Sequence, residues 1–215
     1  SGGYMSQEGT IIGSKFDRLS LRTNLDAQLK SWLKMGLNVS FANTHDKLLQ
    51  ADGDEGVVNY SLTTLPDIPI YNIDGGYSSV VREGYTNPNP IALALMDDIR
   101  LHRQKLNGSL FFDVTPIRNL TYHTEFGWDL DWSQGDTYMP TVDLGTWKRS
   151  KNESRIQKNT GTYWTLKNYV TYSNVIGDHS FSAMVGQEAW KSHWDYISTY
   201  NTGLPSDAVH NPSLG

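Results

Sequence analysis

The 215-residue chain has no cysteine. That excludes a disulfide framework, thiolate catalysis and thiolate metal sites. No run approaches the ~18 consecutive apolar residues of a membrane-crossing helix. No basic cluster exceeds Lys148, Arg149 and Lys151, and the formal charge is -5, so nothing points to nucleic acid. The start, Ser1-Gly2-Gly3, has neither the basic residues nor the apolar run of a signal peptide, so we expect a chain that is mature or cut from something longer. Helical periodicity is scarce. None of the G-x-S-x-G, H-E-x-x-H or G-x-x-x-x-G-K signatures occurs. What is abundant is aromatic residues (12 Tyr, 7 Trp and 6 Phe) in a strongly alternating pattern.

The alternation is clearest in "LSLRTNLDAQLK", residues 19–30. Leu19, Leu21, Leu25 and Leu29 take one side, and Arg22, Asn24, Asp26 and Gln28 the other. A strand points successive side chains to opposite faces, so this is a ribbon with one apolar and one polar face. The pattern repeats in "LKMGLNVSF", "LNGSLFFDV", "LTYHTEFGWDLDW" and the segment 163–190. His123, Glu125, Asp129 and Asp131 fall on the polar face of the fourth run. Three tight turns are expected, at 30–32, at "TPIRN" with Pro116 early in the turn, and at "NVIGDH".

Between the hairpins lie long connections, expected at 46–102, at 134–157 and from 196 onward. The first should hold a short helix near Val57 to Thr64 and a second opening at Asn89-Pro90. Tight turns and long loops alternate, so a meander places all turns at one end and all loops at the other. Outer-membrane barrels show this asymmetry, with strands that alternate apolar-out and polar-in. Runs of roughly a dozen residues also exceed the usual ~5–6 of soluble strands. The fold class read here is all-β: antiparallel up-and-down strands forming part of a transmembrane β-barrel. A soluble β-sandwich surface module that binds glycans carries the same strand signature and is the alternative. An esterase- or protease-like barrel is a third, weaker reading, since no Ser/His pair stands out.

The residues Gly3, Tyr4, Gly9, Gly13, Ser14, Arg22, Asn24, Leu25, Asp26, Trp32, Leu33, Lys34, Gly36, Asn38 and Ser40 form an ordered set. It continues in "IPIYNIDGGY" (68–77), "NPIALAL" (89–95), 106–129, "WTLKNYVTY" (164–172) and "GDHSFSAMVGQEA" (177–189). Together they resemble the SusC/RagA class of TonB-dependent outer-membrane transporters. The resemblance implies a piece of a barrel of about 22 strands, plugged in its lumen. About seven strands fit in residues 1–215, whereas at roughly 30 residues per strand the whole barrel needs about 650. The plug and the energy-coupling segment are not among these residues. The resemblance also implies uptake of an oligosaccharide or peptide, a SusD-like surface lipoprotein as partner, coupling to TonB through the missing regions, and contact with outer-membrane lipid.

No catalytic residue is assigned. Arg22, Asn24, Asp26, Gln28, His123, Glu125, Asp129 and Asp131 are expected to face a wet lumen. His123 and Glu125, two apart on a strand, point the same way, but a hydrated charged wall explains them. Loop candidates for ligand binding are Tyr71, Asn72, Tyr77, Tyr85, Trp147, Trp190 and Trp194, because aromatics give large contact areas and amides pair with ligand polar groups. No cofactor or metal is expected. Asp52, Asp54 and Glu55 of "ADGDEG" suggest calcium only weakly, since the 12-residue loop spacing with its terminal Glu is missing.

Overall fold

The computed structural model describes residues 1–50, 53, 56–78, 84, 87–145 and 147–214. Seven strands form one antiparallel sheet: β1 (Gly2–Glu8), β2 (Lys15–Lys30), β3 (Leu33–Leu48), β4 (Asp98–Ile117), β5 (Leu120–Met139), β8 (Glu153–Ile176) and β9 (His179–Thr202). Their spatial order follows the chain, apart from the small pair β6 (Val142–Leu144) and β7 (Trp147–Arg149), which stands by itself in a loop. Two short helices, α1 (Val57–Thr63) and α2 (Pro90–Met96), lie in the connection between β3 and β4.

The strands run well past the alternating segments. β4 and β5 each have 20 residues, and β8 and β9 each have 24. The connections therefore shrink to 49–97 and 140–152 from the expected 46–102 and 134–157, and β9 continues to Thr202 where a loop was expected from 196. The added lengths keep their ladder pairing, for example Arg100 opposite Asp136. They carry polar residues on both faces, so alternation does not reveal them. The second turn is Arg118-Asn119, with Asn119 at φ 71. Pro116 sits instead in a register irregularity between Val114 and Ile117, where a ladder donor is not required. The third turn narrows to Gly177-Asp178, with Gly177 at φ 61. Trp128 lies mid-strand in β5. Its ring rests on Gly108 of the next strand, where a Cβ would come within 2.7 Å of it.

The helix starts fall where expected. Asn89 caps α2, its side-chain oxygen accepting from the amides of Ile91 (3.0 Å) and Ala92 (3.2 Å), and Pro90 supplies the first helical residue.

The apolar face of the sheet is uncovered among the described residues. Leu19, Leu21, Leu25 and Leu29 keep 41%, 50%, 46% and 47% of their surface exposed. The buried apolar side chains lie elsewhere. Val57, Tyr60, Leu93 and Ala94 form one small cluster and Ala92, Val142 and Leu144 another, both in the loops. A sandwich would have set a second sheet against those leucines. A single antiparallel layer with one apolar and one polar face matches a segment of a barrel wall.

The belt also tilts. On β2 the apolar outer run spans Leu19–Leu29, with Leu25 near its middle. The ladder leads from Leu25 through Leu37, Leu110, Phe126 and Leu166 to Ala189. On β9 the outer face reads Phe181, Ala183, Val185, Gln187 and Ala189 before Lys191, so Ala189 stands at the loop-side limit of a run broken once by Gln187. The belt has slipped by about four residues over five strand steps. At ~3.4 Å per residue and ~4.8 Å between strands this is a tilt of about 30°, close to the ~35–45° of outer-membrane barrels.

Candidate functional site: the polar face and its loop-roofed mouth

The ladder brings the predicted polar residues onto one face. Asn24 pairs with Asn38, then Ser109, Gly127 and Thr165, and two rows away Gln28 and Lys34 lead to Asp113 and His123. Arg22, Asn24, Asp26, Gln28, His123, Glu125, Asp129 and Asp131 thus share the face opposite the apolar belt. The same face is laced with ion pairs between neighbouring strands. Lys34 reaches Asp26 (3.8 Å), Lys105 reaches Asp129 (3.2 Å) and Lys167 reaches Glu125 (3.7 Å). His123 donates to the Asp113 carboxylate at 2.6 Å and is sandwiched between the rings of Phe111 (5.5 Å) and Tyr169 (4.5 Å). Phe111 lies over Gly36, where any Cβ would meet its ring. This arrangement fixes a charged wall; it sets no nucleophile beside the histidine.

At the loop end, α1, α2 and β7 lean over the polar-face ends of β5, β8 and β9. They enclose a cavity of about 490 Å3 whose lining includes Tyr60, Trp147, Arg149, Glu153, Arg155 and Tyr200. Trp147 packs against both small loop cores and so joins them. Arg149 grips Asp97, the residue that ends α2, through two hydrogen bonds of 2.6 and 3.0 Å. Both side chains are nearly buried, at 14% and 8% exposure. Arg155 lies over the Tyr200 ring (4.9 Å), and the Tyr200 hydroxyl donates to Glu153 (2.9 Å). On the far side of the same rim Asp207 ties residues 203–214 to the strand tips. It accepts from Tyr138 (2.9 Å), the Asn152 amide (3.0 Å), and the Thr141 amide and hydroxyl. The Thr141 hydroxyl bond, more than any other contact, holds the Asp207 carboxyl down at about 2, and burial pushes the Tyr138 phenol up to about 12.

The predicted loop residues fare differently. Tyr71 and Tyr77 form a bridge with rings 5.6 Å apart, and Asn72 uses its side-chain amide to hold the Tyr77 carbonyl (3.0 Å). Tyr77 packs against the second loop core and is half-buried, whereas Tyr71 and Asn72 are exposed to solvent. Trp147 is a packing residue with an edge on the cavity. Trp190 and Trp194 are not loop residues at all. They lie in β9 on the polar face, because β9 keeps its ladder with β8 through this stretch. Tyr85, Asp52, Asp54 and Glu55 lie outside the described residues. Sequence reasoning missed Arg155 and Tyr200, which lie where β8 and β9 extend beyond the alternating pattern, and Arg149, which lies in the short loop strand β7.

With that geometry in hand, likeness to known proteins is informative. No protein-family model matches the chain. Over 96% of its length it is 26% identical to TonB-dependent receptor P26 of Formosa agariphila. It is 29% identical over 86% of its length to TonB-dependent receptor P3 of the same organism. The resemblance to TonB-dependent receptors holds. In fold, 99% of the chain superposes on the RagAB peptide importer in its closed-closed state, with a TM-score of 0.80 at 23% identity. The open-open state gives the same TM-score. The chain spans 21% and 19% of the length of the two curated relatives and 24% of the solved importer chain.

Proposed function

We propose that the chain is part of the barrel wall of an outer-membrane importer that takes up an oligosaccharide or peptide, driven by TonB. The observation that carries this is the sheet itself. Its outer belt tilts by about 30°, close to that of membrane barrels, its inner face is charged, and its loops gather at one end around a cavity. The likeness to TonB-dependent receptors over nearly the whole chain supports the same reading. In it, the belt from Leu19 to Leu29 meets lipid, the face bearing Arg22 and His123 lines a wet lumen, and the cavity at Arg155 and Tyr200 opens outward. A SusD-like lipoprotein docks on the loop end. The plug and its coupling segment belong to other parts of the receptor. The protein transports, and no bond is made or broken by this wall.

The test uses the complete receptor in an outer-membrane host with and without a functional TonB. Solute uptake that needs both the receptor and TonB, with the receptor in the outer-membrane fraction, is the expected result. Uptake indifferent to TonB, or a receptor recovered in the soluble fraction, refutes the reading.

A further inference from the structure

We propose that His45 and His102 form an acid-released clasp at the base of the mouth roof. Its bearing on the mouth rests on the importer reading; the clasp itself rests on geometry. The roof helices α1 and α2 belong to the connection 49–97, which leaves the sheet after Leu48 and returns at Asp98. His45 and His102 stand directly opposite each other on β3 and β4, both interior strands of the sheet. They lie on the outer face, one pair past Asn43 and Gln104, where the apolar belt has ended. Their rings stack with centroids 4.1 Å apart and planes 10° from parallel. Asn43 bridges the two. Its amide nitrogen donates to His45 Nε2 (3.3 Å), and its oxygen accepts from His102 Nε2 (2.6 Å). The next pair on this face is Lys47 opposite Arg100, two like charges that press the strand ends apart. The clasp is thus the last attractive pair on this face before the roof begins.

The bridge needs an uncharged His45. One side-chain amide offers one oxygen and one NH2 group, so it serves one donor ring and one acceptor ring. Here His45 Nε2 is the acceptor. Histidine gains its charge between about pH 8 and 5. A proton on His45 Nε2 faces the Asn43 NH2 group, donor against donor. Protons on both rings set like charges at the 4.1 Å stacking distance. The neighbours favour release. From β2, Asp17 faces His45; it holds Lys15 (3.0 Å) and the Tyr4 hydroxyl (3.0 Å), and it gives a charged His45 a carboxylate to turn to, away from His102. From β5, Gln134 faces His102 but turns its amide to Asp136 (3.0 Å). Arg100 is occupied by Asp98 (2.7 Å), and with Lys47 it adds repulsion and no acceptor. On the opposite face Arg103 holds Asp46 (2.8 Å), so the strands stay paired while their ends loosen. The roof follows those ends, because Leu49 packs against the first loop core and Asp97 takes the Arg149 hydrogen bonds.

The test is hydrogen exchange of the complete receptor in detergent, read by mass spectrometry from about pH 7.5 to about pH 5.5 and corrected for the intrinsic pH dependence of amide exchange. Exchange in residues 45–50 and 95–102 should rise by about fivefold or more as the pH falls. Residues 126–132, at belt height in β5, should not respond. The double variant His45→Phe, His102→Phe keeps two facing rings that cannot charge, so its exchange should stay low throughout. His45→Lys carries a fixed charge and should exchange fast throughout. A flat profile in the unaltered receptor, an equal rise in the double phenylalanine variant, or a rise shared by residues 126–132 overturns the clasp. So does a His45→Lys receptor as protected at neutral pH as the unaltered one. Uptake separates the two ideas. A flat exchange profile with TonB-dependent uptake sinks the clasp and spares the importer. The expected pH profile with uptake indifferent to TonB does the reverse.

Discussion

Arginine substitutions along one ladder row discriminate a tilted membrane belt from any other explanation of the apolar face. Leu25 stands near the middle of the β2 run, and its row continues to Ala189. An arginine near mid-bilayer costs ~2–4 kcal/mol, falling to ~0–1 near the interface. At ~1.36 kcal/mol per tenfold, Leu25→Arg should lower the folded-to-unfolded ratio by roughly 30- to 900-fold. Leu19 occupies the loop-side edge, where its row runs through Asn43 and Gln104, so Leu19→Arg should cost about 0–1 kcal/mol. The tilt makes the more demanding statement. Ala189 shares a row with Leu25 but sits at the edge of the β9 belt, so Ala189→Arg should also cost ~0–1 kcal/mol, while Val185→Arg costs ~2–4. Gln28→Lys, on the polar face, should be neutral. The assay is folding of the complete receptor into phospholipid vesicles across a guanidinium series, read as the heat-modifiable fraction. Equal costs at Leu25 and Ala189 would refute the tilt. Equal costs at Leu25 and Gln28 would refute the assignment of the apolar face to lipid.

Two further outcomes follow from the loop end. Asp97→Asn leaves the nearly buried Arg149 without its carboxylate and should destabilise the loop cores by about 3–5 kcal/mol, with much of that recovered in the Asp97→Asn, Arg149→Met double variant; protease sensitivity of residues 140–152 reads both. The folded Asp207 carboxyl is lowered to about 2, so its contribution is present above the ordinary carboxylate range and is lost as pH falls through about 4 toward 2. Hydrogen exchange in residues 203–214 should therefore rise over that window, and in Asp207→Asn it should be high throughout with a flatter pH profile; identical profiles in both proteins would refute the anchor.

The amphipathic strands were legible because inner and outer faces demand opposite chemistry at period two. Leu19 to Gln28 announces its strand for that reason, and the resulting turn-and-loop asymmetry gave the architecture. The ends of the same strands were not legible. Past the belt both faces are wet, so residues such as Arg100, Asp136 and Arg155 satisfy a strand without alternating. Backbone pairing maintains these extensions, aided by local contacts such as Arg155 over Tyr200 and Arg103 to Asp46. Hydrogen bonds between distant strands leave no periodic trace in the residues that make them, which is why the loops read longer from sequence than they are.

Trp190 and Trp194 show the consequence for function. Their aromatic character marked them correctly as unusual, but a strand misread as loop assigned them the wrong surroundings. Once the ladder sets Trp194 opposite Gly161 and Trp190 near Tyr163, their exposure acquires a direction. They belong to the polar face, resting on Gly161 and Tyr163 of β8, and they line up with Tyr200 at the cavity. A scattered set of candidate loop aromatics becomes one oriented stripe, because register decides which side of a wall a side chain serves. The same shift moves attention from the loop aromatics Tyr77 and Trp147, which pack against small cores, to β9, whose rings are held in place but left uncovered.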